Sequence, residues 1–382
     1  MLKIILSTDC IKFPLTGIGR YAFELGKQLE ISQSVDLSYL NGLSIKKTLP
    51  VASETGNSGQ GLKRQLQKSR LVSDIYRITY PYAKSYVLNK QKEHIFHSPN
   101  YYIPPNTGKS VATFHDLSVF HWPEFHPAGR VHLMQKELKK TVTRAKVLIT
   151  DSEYTKTELV EYFNLEAANV VVAPLASSGF FTPRQQGDVQ SVLDKYHLGY
   201  KQFFLYTGTI EPRKNILSLL QAYDRLDAIT KRNYPLVISG YKGWENEELF
   251  KLFKKGTDEG WLKYLGFTAS EDLPKLYAAA KGFLFPSIYE GFGLPVLEAM
   301  ASGVPVICSN ASSLPEVVGD AALMHDPYDV SSFTESINLI IQDTLVEQSM
   351  ITAGIERASH FSWKHCADKT IQAYNQVSEL YD

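Results

Sequence analysis

Two short strings in the second half of the chain carry side chains that could bind a phosphate and a sugar. Arg213 and Lys214 stand side by side after a strand-like run and just before a helical pattern. Cations at the start of a helix oppose the helix dipole, so this placement indicates a bound anion. A forked guanidinium beside a point-charged ammonium is typical of phosphate binding.

The second string runs from Glu290 to Glu298 and opens a predicted helix. The backbone amides of Phe292, Gly293 and Leu294 are then available for phosphate oxygens or sugar hydroxyls. A pair of glutamates also suits glycoside hydrolysis. The Arg–Lys pair on a neighbouring strand end instead favours carboxylates that hold sugar hydroxyls.

Two further candidates in the first half of the chain are less specific. Gly17 and Gly19 follow the first strand-like run, and glycines let a backbone approach a ligand closely. His115 follows another such run directly. A structural turn and a structural histidine explain these residues about as well as a binding site does.

Short apolar runs must position these residues, since they alternate with longer amphipathic stretches over the whole length. Such unalternating runs are typical of strands buried on both faces of a parallel sheet. Strand–helix alternation with right-handed crossovers predicts an α/β fold with doubly wound sheets. The predicted strands are Lys3–Thr8, Ile95–Ser98, Val111–Phe114, Val147–Thr150, Val170–Ala173, Phe203–Thr207, Leu236–Ser239, Leu262–Leu265, Gly282–Pro286 and Pro305–Cys308.

Ten strands in two groups predict two domains, residues 1–180 and 181–362. The boundary falls in a stretch rich in Pro, Gly, Ser and Gln between Pro174 and Gln202. A last helix over 363–382 is expected to cross back onto the first domain. The clearest helical patterns are Ile216–Ile229, Glu245–Lys255, Ser270–Ala280 and Ser331–Ile341.

The composition of the 382-residue chain excludes several classes of protein. Forty Lys and Arg balance forty Asp and Glu, so bulk attraction to nucleic acid is not expected. Three scattered cysteines are too few for a disulfide framework or a metal cluster, and they fit a reducing compartment. The first apolar run is too short for a signal peptide. These features predict a cytoplasmic protein without a spanning helix.

The neutral balance hides one basic segment, residues 46–92. It has ten Lys or Arg against two acids, a net charge of +8, which leaves −8 for the rest of the chain. Tyr76, Tyr80, Tyr82 and Tyr86 lie within it. A basic, tyrosine-rich stretch suits peripheral contact with an anionic membrane. A solvated helix with some core tyrosines is an equally good interpretation.

Taken together, these strings resemble one enzyme family. Glu290 to Glu298 resembles the E-x7-E signature of the retaining, nucleotide-sugar-dependent glycosyltransferases of family 4. The strings at 207–215, 285–295, 301–306 and 314–319 are similar to that family as well. The resemblance implies the GT-B fold, in which two Rossmann-like domains face each other across a cleft.

The resemblance also implies roles for single residues. Arg213 and Lys214 would neutralise the donor diphosphate, Glu290 would hold hydroxyls of the donor sugar, and Glu298 would grip the ribose. Phe292, Gly293 and Leu294 would supply amides beside them. Gly17, Gly19 and His115 would form the first domain's side of the cleft, and Gly240 and Phe267 would lie near the nucleoside. Some family members have a further Arg at the position where this chain has Thr209. The resemblance therefore implies that diphosphate binding depends more on Arg213 and Lys214 in this chain.

The implied reaction is transfer of a hexose to a glycan or polyprenyl-linked saccharide, as in bacterial mannosyl- and rhamnosyltransferases of polysaccharide synthesis. GDP-mannose is the expected donor, with other GDP-, dTDP- and UDP-sugars as alternatives. No metal or other cofactor is expected, because fixed cations and a helix N-terminus can stabilise the leaving diphosphate. A sugar-nucleotide epimerase, a glycan phosphorylase and a glycan-binding module remain open as alternatives. Loss of Glu290 or Lys214 is expected to cut turnover far more than stability.

Overall fold

The computed structural model describes residues 1–15, 17–51, 70–241, 243 and 247–381 of the chain. It divides the chain into two compact units. The first unit comprises Met1–Pro174 and Trp363–Asp382, and the second comprises Leu175–Ser362.

The first unit is built on a seven-stranded sheet in the order β3-β2-β1-β4-β5-β6-β7. All neighbouring strands pair in parallel except β2 and β3, which are antiparallel. The central strands are fully buried, as their unalternating apolar sequences predict. The strands are β1 (Leu2–Ser7), β2 (Val35–Asn41), β3 (Ser44–Lys46), β4 (Ile95–Ser98), β5 (Ser110–Phe114), β6 (Val147–Thr150) and β7 (Val170–Val172).

Six helices accompany this sheet in the described part of the unit. Ser152 begins one of them with a side-chain cap, since its hydroxyl accepts a hydrogen bond from the Thr155 amide. The helices are α1 (Gly17–Ile31), α2 (Arg70–Asn89), α3 (Ser118–His121), α4 (Ala128–Arg144), α5 (Glu153–Phe163) and, at the far end of the chain, α15 (Trp363–Glu379).

A buried chain of hydrogen bonds holds the last helix on the first unit. The ring of His97 on β4 lies 2.7 Å from the Tyr374 hydroxyl of α15 and 2.9 Å from the Thr113 hydroxyl of β5. Thr113 in turn lies 2.9 Å from the hydroxyl of Tyr21 on α1. Burial lowers the pKa of His97 to about 3, so its ring is neutral at physiological pH. Each polar group is therefore satisfied within the core.

The second unit has a six-stranded, all-parallel sheet in the order β10-β9-β8-β11-β12-β13. The strand order reverses beside β8, and in open parallel sheets ligands bind at the carboxyl ends of the strands near such a point. The strands are β8 (Phe204–Thr207), β9 (Leu236–Ser239), β10 (Leu262–Gly266), β11 (Gly282–Phe285), β12 (Val306–Ser309) and β13 (Leu323–His325).

Nine α-helices flank the second sheet in the part of the unit that the structure describes. The helices are α6 (Gln186–Tyr196), α7 (Ile216–Asp224), α8 (Ala228–Asn233), α9 (Glu247–Asp258), α10 (Leu273–Ala279), α11 (Leu294–Ala301), α12 (Leu314–Val318), α13 (Val330–Gln342) and α14 (Thr344–Ser359). Across the residues described in both units, none of the helices combines the length and apolar character needed to cross a membrane.

The predicted α/β fold of two Rossmann-like, doubly wound units is confirmed, but several elements differ from the sequence-based prediction. β2, β3 and β13 were not predicted, because β2 mixes polar with apolar residues and the three-residue strands β3 and β13, unlike the three valines of β7, include polar residues. The predicted helix Ile216–Ile229 is wrong: α7 ends at Asp224, because the Asp227 carboxylate caps a new helix.

The two units meet in sequence at Pro174, six residues before the predicted boundary at residue 180. The segment that follows Pro174 packs against the second unit, since the Phe181 ring lies edge-on to the Tyr277 ring with centroids 5.3 Å apart. The Tyr200 hydroxyl donates to the Arg184 carbonyl at 2.9 Å. These contacts fasten the Pro- and Gly-containing stretch to the second unit.

Candidate functional site

Loops at the carboxyl ends of β8, β9 and β10 pack directly against one another in the second unit. Gly208, Gly240 and Gly266 have φ values of +147°, +154° and +66°. A Cβ on Gly240 would lie 1.9 Å from the Gly208 carbonyl oxygen. The Gly240 amide donates to the Gly266 carbonyl at 2.8 Å, which ties the loops together. Glycine is therefore required at Gly240 for close backbone approach.

The centre of the candidate site is the buried carboxylate of Glu290, which follows β11. Its Oε1 lies 2.5 Å from Lys214 Nζ, and its Oε2 lies 3.2 Å from an Nη of Arg213. Ser287 Oγ donates to Oε1 at 2.5 Å. The structure thus brings together three of the four charged residues that the two sequence strings singled out, namely Arg213, Lys214 and Glu290.

Arg213 also pairs with a second carboxylate, Glu211, at 2.7 Å from its Nε. The same guanidinium donates to the Tyr289 carbonyl at 3.0 Å. Two cations and two carboxylates therefore form one cluster with no net charge. Glu211 had no predicted role, although it stands inside the string around Arg213 and Lys214.

The charges of this cluster depend on each other. Burial alone would raise the pKa of Glu290, but the nearby Lys214 and Arg213 hold the pKa of its carboxyl below the usual value. Burial and the neighbouring Arg213 lower the pKa of the Lys214 ammonium. Lys214 and Glu290 side chains are only 11% and 9% exposed. Each charge is thus stabilised mainly by its partners rather than by water.

Hydroxyl groups from the end of the neighbouring strand β12 and the loop after it fix the backbone around Glu290. Ser312 Oγ accepts a hydrogen bond from the Glu290 amide at 2.8 Å, and Ser313 Oγ donates to the Glu290 carbonyl at 2.9 Å. Ser309 Oγ donates to the carbonyl of Ser287. These serines were not identified as site residues from the sequence, and they give the carboxylate one defined orientation.

The sequence predicted that the Arg213–Lys214 pair lies at the start of a helix, but the structure places it before the helix. Pro212–Lys214 form a separate 3₁₀ turn, and Asn215 adopts the left-handed conformation before α7 begins at Ile216. The Asn215 side-chain amide donates to the Pro327 carbonyl at 2.6 Å. The pair therefore lies in a 3₁₀ turn, and its electrostatic environment is set by its carboxylate partners rather than by a helix dipole.

Glu298 lies on α11, one turn inside the helix that Glu290 precedes. Gly293 caps this helix with a φ of +107°, and Phe292 packs edge-on against Phe361 at 5.7 Å. Glu298 is 7% exposed. The Leu294 amide lies at the N-terminus of α11, where helices favour anions, whereas Pro295 has no amide hydrogen and the Val296 amide donates to the Gly293 carbonyl at 3.1 Å.

Two aromatic rings are exposed at the ends of β9 and β10. Tyr241 and Phe267 stack with centroids 5.1 Å apart and keep 55% and 42% of their surface exposed. Thr209 lies in the adjacent loop, where its carbonyl is 3.5 Å from the Tyr206 hydroxyl. Lys242 and Trp244, in the string predicted near the nucleoside, lie outside the described residues.

His115 lies in the first unit at the carboxyl end of β5, and both of its ring nitrogens have partners. Nδ1 is 2.6 Å from Asp151 Oδ2, and Nε2 is 2.9 Å from the Pro99 carbonyl oxygen. A carbonyl oxygen only accepts, so Nε2 carries a proton. Burial by itself would lower the pKa of His115, but Asp151 raises it above the usual value. Asp151 had not been singled out in the sequence.

The glycine loop of the first unit begins α1. Gly17 has a φ of +45°, and a Cβ there would meet nothing within 4 Å. A Cβ on Gly19 would lie 2.8 Å from the Cys10 carbonyl oxygen, so Gly19 serves close backbone packing. The proposed ligand contacts of Gly17, Gly19 and His115 stay predictions.

Comparison with known proteins decides the family. Residues 194–357, which hold the Glu290 cluster, match the family described as Glycosyl transferases group 1. The chain is 44% identical over 379 residues to O-antigen chain mannosyltransferase B of Escherichia coli, covering 98% of this chain and 99% of the relative. The chain belongs to the group 1 glycosyl transferases. It is an enzyme of the hexosyltransferase class.

Solved structures agree on the fold of this glycosyltransferase. Sucrose-phosphate synthase from Thermosynechococcus elongatus superposes with a TM-score of 0.73 over the whole of both chains at 20% identity. WaaG, a glycosyltransferase involved in lipopolysaccharide biosynthesis, gives a TM-score of 0.70 over 96% of this chain and 98% of its own, at 15% identity. The fold is GT-B.

Proposed function

We propose that this glycosyltransferase moves a mannosyl group from a nucleotide sugar onto a glycan or lipid-linked saccharide in the synthesis of an O-antigen-like polysaccharide. The observation that carries the proposal is the end-to-end similarity to an O-antigen chain mannosyltransferase. The buried cluster of Arg213, Lys214 and Glu290 supplies the chemistry that such a transfer needs.

The basic pair would bind the donor diphosphate. When the bond to the sugar breaks, negative charge develops on the departing diphosphate, and preorganised cations stabilise it. Arg213 and Lys214 are held in place by carboxylates before any donor arrives, so they need no reorganisation at that moment. The partial positive charge at the N-terminus of α11 would also stabilise these phosphates.

Glu290 would orient the donor sugar rather than attack it. Its two oxygens already bind Lys214, Ser287 and Arg213, and these partners lower its basicity. A carboxylate stabilised in this way accepts hydrogen bonds from sugar hydroxyls well but is a weak nucleophile. Attack by the acceptor on the leaving-group face, with retention at the anomeric carbon, fits this arrangement.

The nucleoside would lie along the exposed pair of Tyr241 and Phe267, and Glu298 would hold the ribose. GDP-mannose is the donor that we propose, with no metal ion required. Glu298→Gln should then raise the donor KM with little change in kcat, because ribose contacts are equal in the ground and transition states. The matched comparison is Glu290→Gln, which should lower kcat.

A donor panel tests the proposal directly. The full chain is incubated separately with GDP-mannose, UDP-glucose and dTDP-rhamnose in the presence of a mannose-containing acceptor, and nucleoside diphosphate release is measured. GDP release with mannosyl transfer supports the proposal. Transfer only from another donor would contradict the choice of GDP-mannose, and binding without release would favour a glycan-binding module.

We further propose peripheral contact with the inner face of an anionic membrane through the basic segment 46–92. Tyr82 and Tyr86 of α2 are 59% and 66% exposed, and Lys90 Nζ lies 4.4 Å from the centroid of the Tyr86 ring. Exposed tyrosines with basic neighbours suit a membrane interface. Lys63, Arg64 and Lys68 of this segment lie outside the described residues.

Vesicle binding tests this second proposal. Co-sedimentation should increase with the anionic lipid fraction and decrease with salt. The triple variant Tyr82→Ala, Tyr86→Ala, Lys90→Glu should bind less, and Tyr328→Ala, which removes a ring that is 62% exposed in the second unit, should not. Equal sedimentation of the triple variant and the wild type would contradict the proposal.

A further inference from the structure

The first unit contains a cavity of about 550 Å³ that has no part in the site described above. It lies between His121, at the end of α3, and one side of α5. The spacing of the α5 residues places them on a single helix face. The cavity is lined by His121, Tyr154, Thr157, Glu158, Glu161 and Tyr162. Its volume lies within the roughly 300–1,000 Å³ range of ligand clefts.

Two neighbours orient the Glu158 carboxylate in the lining of this cavity. The Tyr154 hydroxyl forms a hydrogen bond with its carboxylate. On the other side, His121 Nε2 lies 3.8 Å from Oε1. The Glu158 side chain is 15% exposed, so it is oriented within the lining rather than extended into solvent. A carboxylate fixed in this way can accept hydrogen bonds from two hydroxyls at once.

Tyr162 gives the cavity a fixed aromatic wall. Its ring centroid lies 4.8 Å from that of Phe120, 4.9 Å from that of Phe163 and 5.5 Å from that of His121. The residue nevertheless remains 44% exposed. An aromatic ring that is held by its neighbours and open on one side binds apolar surface at low entropic cost.

The charge of the lining limits the ligand class. Glu158 and Glu161 disfavour phosphates and other anions by like-charge repulsion. In the part of the chain that the structure describes, no three His, Cys, Asp or Glu side chains are grouped to hold a metal ion. A neutral sugar fits this lining, because its vicinal hydroxyls can donate to the carboxylate and its apolar C–H face can lie against the ring.

We infer that this cavity is a binding subsite for the neutral glycan chain of the acceptor, formed by Glu158 and Tyr162. The inference rests on the proposed transfer to a glycan and deepens it. A subsite on the first unit would bind acceptor sugars that precede the terminal sugar, which receives the transferred mannosyl group. The enzyme would therefore prefer acceptors of several sugars to short ones.

Binding is tested first, without a donor, on the full chain. The probes are an α-linked mannopentaose and methyl α-mannoside, measured by titration calorimetry. Tyr162→Ala and Glu158→Gln should each weaken pentaose binding by roughly tenfold, about the loss expected for one stacking or charged hydrogen-bonding contact. Tyr162→Phe should bind as the wild type does, because the ring remains.

Matched controls come from the same unit. Tyr381→Ala removes another ring that is 44% exposed, and Glu166→Gln neutralises another exposed carboxylate, both outside the cavity lining. Both should leave pentaose binding unchanged. Equal pentaose affinity for wild type, Tyr162→Ala and Glu158→Gln would overturn the inference, as would the absence of measurable pentaose binding by the wild type.

Kinetics with GDP-mannose then separate this inference from the proposed function. The two cavity variants should raise the KM for the pentaose about tenfold and leave its kcat, the KM for the monosaccharide and the background hydrolysis of donor unchanged. Equal effects on long and short acceptors would overturn the subsite. Absence of diphosphate release by the wild type from every donor would instead overturn the proposed function.

Discussion

The buried pair of Lys214 and Glu290 should behave as one unit in both stability and catalysis. The perturbations are Lys214→Met, Glu290→Gln and the double variant. Each single change leaves a partner charge about nine-tenths buried, with the two side chains 11% and 9% exposed in the wild type. The sequence alone predicts that these losses affect turnover far more than stability, and the buried geometry revises that expectation.

The magnitude follows from the cost of an uncompensated buried charge. Removing one partner of a buried ion pair costs about 3–5 kcal/mol, whereas replacing both by uncharged groups of similar size is often nearly neutral. Lys214→Met should cost less than Glu290→Gln, because Glu290 keeps Arg213 at 3.2 Å. The double variant should therefore be more stable than the sum of the single changes predicts, with a coupling energy of about 1–3 kcal/mol. Arg213 retains Glu211 as a partner in every variant, so the rest of the cluster persists.

Urea denaturation and donor turnover are measured on the same preparations. Turnover should fall by about 10²–10³-fold in all three variants, because the double change restores charge balance and not the contact with the donor. The control is Lys251→Met, which breaks an ion pair whose members are 73% and 85% exposed. It should cost less than about 1 kcal/mol. Additive destabilisation, or near-wild-type turnover in the double variant, would refute the reasoning.

Three further outcomes are expected. The folded-state pKa of His115 is raised by Asp151, so its proton stabilises the first unit below pH 6.5, and the urea midpoint should fall as pH rises above that value. In Asp151→Asn the two largest interactions that raise the His115 pKa are lost, so this fall of the midpoint should weaken or reverse; an unchanged profile would contradict the pairing. Gly240→Ala should lower the free energy of unfolding by at least about 2 kcal/mol, because its Cβ would lie 1.9 Å from the Gly208 carbonyl oxygen. The control Gly179→Ala, whose Cβ would meet nothing within 4 Å, should lower it by less than about 0.5 kcal/mol. Similar urea midpoints for the two variants would show that the loops can separate. Turnover should survive EDTA, because the basic pair and helix N-terminus stabilise the leaving group; loss that Mg²⁺ or Mn²⁺ restores would reveal a metal requirement.

Continuously apolar strands and the charged motif residues were predictable from the sequence, because each has a local signal. Buried parallel strands such as Val147–Thr150 are continuous apolar runs. Arg213, Lys214 and Glu290 stand out because they lie in the strings that follow such runs, five to seven residues after the strand ends. Short or half-polar strands such as β3 and β13 carry no such signal.

Pairings between distant residues could not be predicted in the same way. Glu211 and Ser287 acquire roles only because two strand ends converge on Glu290. Asp151 becomes the partner of His115 across 36 positions of sequence, through the neighbouring strands β5 and β6. A single sequence shows the residue types but not which of them the sheet brings together.

The central claim is that the Arg213–Lys214–Glu290 cluster carries out a retaining mannosyl transfer. The most direct measurement is the NMR coupling of the anomeric carbon and proton in the product formed from GDP-α-mannose and a mannose-containing acceptor. The proposed mechanism predicts an α-linked product with wild type and at least about a hundredfold less of it with Glu290→Gln. A β-linked product, or equal yields from the two proteins, would contradict it.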